Sequence, residues 1–264
     1  MNKIKRGSTV VKKSDNRKIV YIVEKIISEK KSKVAILKGL FIRIIEQIPV
    51  NDLEIVDRKY VNKYIEEKNK NLEKRIYSRR NSYDNMQSGR ILHLDGDRRY
   101  MEKSYRYYKK LGLNAVVRYI PEEKQEYLVK DILTKYKPDI LVITGHDGMI
   151  KKGRNYSDIY NYMNSRFFVN TVKKAREHEL GKNLVIFAGA CQSYFEALIS
   201  AGANFASSPA RVLIDFADPL IVAEKIATTD SNCYVTINDI ADELRDGKDG
   251  IGGIGAKGKK VTSL

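Results

Sequence analysis

The chain has 264 residues, a formal net charge of +16 and 42% hydrophobic residues, which is enough to build one large domain or two smaller ones with a buried core. Its longest apolar runs are far too short to cross a bilayer, and its lysine-rich start lacks the apolar region of a signal peptide, so a cytoplasmic protein is expected. Two cysteines are too few for a disulfide framework, and both are expected to be free thiols.

The first third of the chain carries most of the positive charge. Residues 1–90 have a net charge of +12, against +4 for residues 91–264. Such a surface attracts nucleic acid, acidic protein surfaces or anionic polymers, and a solvated lysine-rich surface is the plainer explanation. Because no cluster of exposed aromatic residues lies beside these charges to stack bases, nucleic acid is not the favoured partner.

Residues 1–57 alternate short β-branched runs with turn residues, which predicts a small, basic antiparallel β-barrel of the SH3-like type. The predicted strands are 7–11, 19–26, 33–37 and 41–45. Residues 58–89 are predicted to form a linker, with a mostly polar helix over 58–80 and then an exposed connection rich in turn formers.

A repeating pattern of strands and helices fills residues 90–246 and predicts an α/β fold, a three-layer αβα sandwich with a mostly parallel sheet. The predicted strands are 90–94, 114–119, 139–144, 183–188 and 203–207. The predicted helices are 99–111, 122–136, 160–179, 192–201 and 219–228. A strand at 235–237 and a short helix at 238–245 come next, and the glycine- and lysine-rich residues 247–264 are predicted to form a flexible tail.

Two strand ends carry side chains that can react. His146 follows the apolar run 140–144, and Cys191 follows the run 184–190. In a parallel sheet, ligands bind in the crevice beyond the carboxyl ends of neighbouring strands, so these side chains can meet although 45 residues separate them. The sequence therefore predicts a cysteine nucleophile paired with a histidine.

Cys191 has the setting of a nucleophile. A thiolate that attacks a carbonyl carbon needs a nearby base and donors for the oxyanion, and a helix that begins at this residue would offer free N–H groups and the positive end of its dipole. Gly189 and Ala190 leave room for a substrate backbone. An inert buried cysteine is the commoner case, but the neighbouring reactive strand end favours the catalytic role.

The three histidines have different settings. His146 lies in a glycine-flanked turn that lets the ring project into the crevice, where it is predicted to act as base or acid. His178 falls near a predicted helix end, where a solvated face explains it. His93, on the first strand of the parallel sheet, is a secondary candidate because two aspartates follow it.

The order of the two reactive residues separates families of enzymes. Nucleophile-elbow hydrolases and class I glutamine amidotransferases place the nucleophile before the histidine, whereas caspase-type peptidases place the histidine about 50 residues before a Gln-Ala-Cys-[Arg/Gln/Gly]-Gly motif. Residues 189–193 read Gly-Ala-Cys-Gln-Ser, which agrees at three positions and departs at Gly189 and Ser193. A caspase-like fold is therefore predicted.

Caspase-type peptidases usually have His-Gly where this chain has His146-Asp147-Gly148. The backbone N–H of Cys191 is expected to be one oxyanion donor. Either Asp147 or Gly148 is expected to supply the second.

Several motifs together resemble the YabG family of sporulation-specific cysteine peptidases. They are a basic β-rich start with Ala-Ile-Leu-Lys-Gly-Leu at 35–40, Leu-His-Leu-Asp-Gly-Asp at 92–97, Thr-Gly-His-Asp-Gly at 144–148, Gly-Ala-Cys-Gln-Ser at 189–193 and Ser-Ser-Pro-Ala-Arg-Val at 207–212. The resemblance covers nearly the full length. It implies a peptidase of the mother-cell cytoplasm and the spore coat that trims spore-coat and cortex-associated proteins after arginine, with Cys191 as nucleophile and His146 as its partner.

An arginine-accepting pocket needs a carboxylate that pairs with guanidinium. Among the aspartates near strand ends, Asp97 and Asp215 are the first choices and Asp95 the third, although helix capping explains each of them equally well. An enzyme that cuts after arginine could also process its own linker. The predicted self-processing sites are Arg79, Arg80 and Arg90.

No cofactor or metal is expected, because no spacing of His, Cys, Asp and Glu resembles a ligand set. The expected partners are protein substrates of the spore-coat and cortex machinery, with no membrane. Two other classes stay open. One is a non-enzymatic adaptor whose basic domain binds RNA or an anionic assembly surface, and the other is a small-molecule hydrolase or acyltransferase on the same sheet.

Overall fold

Two β-sheets organise the chain. The computed structural model describes residues 3–28, 32–80, 87–151, 153 and 155–260. The first sheet lies in the N-terminal part of the chain and the second in the larger C-terminal part, and the helix α1 (Arg58–Arg80) runs between them in sequence. In the part of the chain that is described, no helix is long and apolar enough to cross a membrane.

The first sheet is antiparallel throughout. Its strands are β1 (Thr9–Lys12), β2 (Val20–Ser28), β3 (Lys33–Gly39), β4 (Ile45–Pro49) and β5 (Leu53–Ile55). They lie in the order β4-β3-β2-β1-β5, which confirms the predicted antiparallel pairing in residues 1–57. The short strand β5 was not predicted, and it pairs with β1 at one edge of the sheet.

The strand predicted at 41–45 is wrong, because β4 begins only at Ile45. Residues 40–44, called the Arg43 loop from here on, connect β3 to β4. The Gly39 N–H donates to the Ile44 carbonyl oxygen at 2.9 Å and closes this hairpin. Glycine is required at the closure, since a Cβ on Gly39 would lie 2.3 Å from the Ile42 carbonyl oxygen.

The second sheet is mixed and mostly parallel. The strands of the C-terminal part are β6 (Ile91–Asp95), β7 (Ala115–Tyr119), β8 (Ile140–Thr144), β9 (Val185–Ala188), β10 (Phe205–Ser207), β11 (Tyr234–Val235), β12 (Ile251–Gly253) and β13 (Ala256–Lys257). Six of them form the sheet in the order β12-β10-β9-β8-β6-β7. Every neighbouring pair is parallel except β10 with β12. The five predicted parallel strands are thus confirmed within two residues at each end.

Helices cover both faces of this sheet. They are α2 (Arg98–Lys110), α3 (Glu122–Tyr136), α4 (Ser165–Arg176), α5 (Phe195–Ser200), α6 (Asp218–Thr228) and α7 (Gly247–Gly250). One buried cluster contains residues of α2 and α6, and a second contains residues of α3, α4 and α5. The result is a layered arrangement of helix, sheet and helix.

Two helices start later than predicted. α4 begins at Ser165, because residues 159–161 form a separate 3₁₀ turn. α5 begins at Phe195, because Gln192 has a left-handed backbone with φ 55°. The prediction that Cys191 opens a helix is therefore wrong, and no helix dipole acts on its thiol from that position.

The first sheet shares its core with the second. Tyr21 of β2 and Leu37 of β3 belong to the same buried cluster as Tyr100 of α2 and Leu220 of α6. The Tyr100 hydroxyl also donates to the Gly39 carbonyl oxygen at 3.2 Å. The predicted boundaries 1–57, 58–89, 90–246 and 247–264 stay a prediction, but the two sheets are packed together.

The predicted flexible tail is instead part of the fold as far as residue 260. α7 leads into β12, which pairs with β10, and β13 pairs with β11. Ile251 has no exposed surface. The glycines here allow close approach rather than mobility, since a Cβ on Gly253 would lie 2.2 Å from the Asn204 carbonyl oxygen. The helix predicted at 238–245 is replaced by two 3₁₀ turns.

Gly253→Ala should destabilise the protein by about 1–3 kcal/mol, the usual cost of forcing atoms into a packed interior. Gly250→Ala is the matched control, because its Cβ would meet its nearest neighbour at 3.5 Å. Urea unfolding followed by circular dichroism measures both variants. Equal midpoints for Gly253→Ala and Gly250→Ala would show that β12 is not fixed against β10.

Candidate active site

The loops that follow β8 and β9 meet at one rim of the second sheet. The two strands are adjacent and parallel, and Ile143 pairs with Ala188 near their ends. His146 and Cys191 each lie three residues beyond this pair, so both loops leave the sheet at the same level. Among the described contacts no hydrogen bond joins the thiol to the ring, and their direct pairing stays a prediction.

Cys191 is fully buried. Its sulfur accepts a hydrogen bond from the Ile214 N–H at 3.3 Å. Burial raises the pKa of the thiol to about 12, because a thiolate in this position would lose its hydration. In the described state the thiol is therefore protonated at neutral pH.

His146 is also fully buried, and its ring packs edge-on against Tyr100 with 5.0 Å between the ring centroids. Nε2 lies 3.3 Å from the Gly39 carbonyl oxygen. Because a carbonyl only accepts, Nε2 carries the ring proton and Nδ1 is the basic nitrogen. Nδ1 has no partner among the described residues. Burial lowers the pKa of the ring to about 3, so the imidazole is neutral.

One carbonyl oxygen connects the two loops. The Arg43 carbonyl accepts the Asp147 N–H at 3.1 Å and the Cys191 N–H at 3.2 Å. Two backbone donors that converge on one carbonyl oxygen have the arrangement of an oxyanion hole. The Gly148 N–H, the other predicted donor, is directed instead to the Asp147 carboxylate at 2.9 Å.

The Arg43 side chain continues into a closed, fully buried pocket. Its Nη1 donates to the Asp95 carboxylate at 2.7 Å, and both side chains have no exposed surface. Tyr100 and Phe216 form aromatic walls, with the guanidinium carbon 4.6 Å and 5.5 Å from their ring centroids. The pocket therefore offers a carboxylate and two π faces to a planar cation.

The Asp147 carboxylate holds the two reactive loops in register. It accepts hydrogen bonds from the Asn164 N–H and the Ser165 hydroxyl at the start of α4. It also accepts the Ser193 hydroxyl at 2.8 Å, and this hydroxyl in turn accepts the Ala190 N–H. Burial raises the pKa of Asp147 to about 6, in spite of these hydrogen bonds.

Glu122 fixes the other side of the histidine loop. Its carboxylate accepts the His146 N–H at 2.8 Å and is almost fully buried. A Cβ on Gly96 would lie 2.2 Å from the Glu122 carboxylate, and one on Gly145 would lie 2.4 Å from it. Both glycines are therefore needed for this carboxylate to reach the loop backbone.

The other predicted carboxylates have different surroundings. Asp97 caps α2 and pairs with Arg99 at 3.0 Å. Burial raises its pKa, but the Arg99 hydrogen bond and the nearby His146 ring hold it below the usual value. Asp215 bridges by its backbone to Ile42 in the antiparallel sense, and its carboxylate accepts the Ala217 N–H.

The remaining sequence candidates make no described hydrogen bond to the Arg43 carbonyl oxygen, although His93 Nε2 lies 3.6 Å from the Asp95 carboxylate. His93 bonds to Thr144 and Tyr108 inside the core. His178 accepts the Leu180 N–H at the start of a 3₁₀ turn. Three arginines were predicted as self-processing sites, and each stays a prediction. The side chains of Arg79 and Arg80 lie outside the described part of the chain, and Arg90 pairs with Asp139 at 3.1 Å.

Sequence reasoning missed six side chains of this site. They are Arg43, Tyr100, Glu122, Ser165, Ser193 and Phe216. Ser193 had a signal, since it departs from the caspase-type motif. Arg43 had one as well, because it is a single charge in the apolar run 41–45. Nothing in the sequence connects the other four to the two reactive loops.

Comparisons with known proteins give the class and the family. Residues 5–264 match the family described as YabG peptidase U57. The chain is also 40% identical over 208 residues to the sporulation-specific protease YabG of Bacillus subtilis (strain 168), which covers 78% of this chain and 70% of that protein. No solved structure matches. These matches define a peptidase. The chain belongs to the YabG family of sporulation proteases.

The neutral state of His146 predicts an acid-dependent loss of stability. In the unfolded chain the His146 ring binds a proton near pH 6.5. In the folded protein the pKa of the buried ring is about 3, so the ring stays unprotonated until the pH falls to that value. As pH falls through this window, the wild type should lose free energy of unfolding faster than His146→Gln, by up to ~1.4 kcal/mol per pH unit. Urea unfolding at steps from pH ~6.5 to ~4, inside this window, measures the difference.

The control for this comparison is His178→Gln, which replaces a partly exposed histidine at the start of a 3₁₀ turn. It should follow the wild type across the pH range. Parallel curves for the wild type and His146→Gln would contradict a buried, neutral ring.

Proposed function

We propose that this protein is a cysteine endopeptidase that cleaves after arginine, with Cys191 as nucleophile and His146 as proton carrier. One observation carries the proposal. The Cys191 and Asp147 N–H groups converge on the carbonyl oxygen of an arginine whose side chain contacts Asp95. A bound arginine substrate would need the same three contacts.

The reaction follows from these positions. The Cys191 proton passes to Nδ1 of His146, and the thiolate attacks the carbonyl carbon of the substrate arginine. The two N–H groups stabilise the negative oxygen. The C–N bond breaks, the imidazolium returns its proton to the leaving amine, and a thioester remains. Water activated by His146 hydrolyses the thioester and restores the thiol.

The Gly39 carbonyl has a positioning role in this scheme. By accepting from Nε2 it fixes the tautomer that leaves Nδ1 basic. This carbonyl belongs to β3 of the first sheet. The N-terminal part of the chain therefore contributes to the orientation of the proton carrier.

Arginine preference is assigned to Asp95 rather than to Asp97 or Asp215. The Asp95 carboxylate contacts a buried guanidinium, whereas Asp97 is occupied by its helix cap and Arg99. The aromatic walls favour a planar guanidinium over the compact ammonium of lysine. A cavity of about 360 Å³ lined by Asp215 and Leu213 adjoins the Arg43 loop and has room for substrate residues before the arginine.

The finer parts of the proposal follow from the family and the layered fold. The parallel sheet with histidine before cysteine supports a caspase-like arrangement, and the antiparallel first sheet supports an SH3-like module. We assign the substrates to spore-coat and cortex-associated proteins, processed in the mother-cell cytoplasm and at the coat. An adaptor without activity is not favoured, because the chain belongs to a peptidase family.

A peptidyl-arginine acyloxymethyl ketone tests the chemistry, with the labelled residue located by peptide mass spectrometry. Cys191 should be labelled in the wild type and no label should appear in Cys191→Ala, which keeps the exposed Cys233 as an internal reference. His146→Ala should react at least ~100-fold more slowly, the usual contribution of a proton carrier. His178→Ala is the matched histidine control and should react like the wild type.

Specificity is measured by comparing the labelling rates of two acyloxymethyl ketone probes, one on an arginine peptide and one on a lysine peptide. Asp95→Asn should lose the preference for arginine, while Asp97→Asn and Asp215→Asn should keep it. Labelling confined to Cys233, or equal labelling of wild type and His146→Ala, would refute the proposed enzyme.

A further inference from the structure

The Arg43 loop lies where a substrate would bind. On one side of Arg43, Ile42 bridges to Asp215 in the antiparallel sense, and on the other side Ile44 bridges to Asp147 in the parallel sense. The two bridges hold the backbone on both sides of Arg43 against the Asp147 and Asp215 segments. The loop therefore occupies the space between these two segments, called the groove from here on, as well as the arginine pocket.

The loop is anchored by side chains that are nearly or fully buried. Arg43 has no exposed surface, and Phe41 is 6% exposed. The Lys103 ammonium lies 3.2 Å from the centroid of the Phe41 ring, and Tyr64 packs edge-on against the same ring. Removal of Phe41 would thus loosen the loop without touching the Arg43 contacts.

The occupied site is not fully satisfied. Nε and Nη2 of Arg43 are buried and have no hydrogen-bond partner among the described residues, and the same holds for Nδ1 of His146. Buried polar atoms without partners cost free energy. These unpaired atoms therefore lower the stability of the docked state.

The turn within the loop is compact and holds the peptide bond after Arg43. The Ile44 N–H donates to the Ile42 carbonyl oxygen at 2.8 Å. β3 and β4 pair immediately on either side, with Lys38 opposite Ile45. An amine released at Ile44 would stay beside the acyl group, which favours resealing over release.

We propose that the Arg43 loop is a built-in substrate mimic that keeps the peptidase latent until an arginine-containing protein displaces it. This inference rests on the proposed function, because it assigns the loop to the subsite that receives the substrate arginine. The neutral thiol and imidazole agree with it, since the docked loop excludes the water that would stabilise their charged forms.

The test compares how fast Cys191 reacts in the wild type and in two loop variants, Arg43→Gln and Phe41→Ala. Each full-length protein is treated with iodoacetamide, with labelling normalised to the exposed Cys233. It is treated separately with the peptidyl-arginine probe, with labelling normalised to the protein concentration. Both variants should react at least ~10-fold faster than the wild type, because the rate is limited by the fraction of molecules with the loop undocked.

Phe41→Ala keeps the test valid if Arg43→Gln fails to fold, since it leaves the Arg43–Asp95 pair in place. Val129→Ala is the matched control. It truncates a fully buried apolar side chain in the cluster on the opposite face of the sheet, and its labelling rate should equal that of the wild type.

The outcomes separate this inference from the proposed function. If the folded loop variants react with the peptidyl-arginine probe at the same rate as the wild type, the proposed peptidase activity is retained and the proposed latency is refuted. If iodoacetamide reacts faster in the loop variants but the arginine probe labels none of the proteins, the loop covers the thiol and the peptidase is refuted. Rapid Cys191-dependent cleavage after Arg43 in fresh wild type would also overturn latency, because the loop would then be a substrate.

Discussion

The site depends on one hydrogen-bond acceptor, the Arg43 carbonyl oxygen. It accepts the Asp147 N–H in the loop that follows β8 and the Cys191 N–H in the loop that follows β9. Buried N–H groups need a partner, from the protein or from water. In the described state the first sheet supplies it, which joins the fold of the N-terminal part to the chemistry of the C-terminal part.

The burial of the thiol and the imidazole, and their neutral state, go with the docking of the Arg43 loop. With the loop docked, the thiol, the imidazole and the Arg43–Asp95 pair all lie in the interior. The buried thiol and the buried imidazole stay neutral because neither charged form is hydrated. In the proposed reaction, the carbonyl and guanidinium of a substrate arginine would replace those of Arg43, so the same groups would serve both the resting and the reacting states.

Much of the fold can be predicted from the sequence, because its signals are local. α3 was predicted with its observed bounds, since Lys137 takes a left-handed conformation and Pro138 follows it. The strand ends that carry His146 and Cys191 were also predicted.

The Arg43 loop was not predicted, because an apolar β-branched run has the pattern of a strand wherever it packs. Its contacts with Asp95 and Asp147 join positions far apart in sequence, which no local pattern encodes. The tail was mistaken for a mobile segment because glycines that allow close strand packing have the composition of a linker.

The central claim is that the Arg43 loop and a substrate arginine compete for one place. A crystal structure of the protein with a peptidyl-arginine inhibitor bonded to Cys191 tests it most directly. The account predicts the inhibitor guanidinium on Asp95, its carbonyl oxygen between the Asp147 and Cys191 N–H groups, and residues 40–44 displaced from the groove. An inhibitor bound at Cys191 while Arg43 remains paired with Asp95 would contradict it.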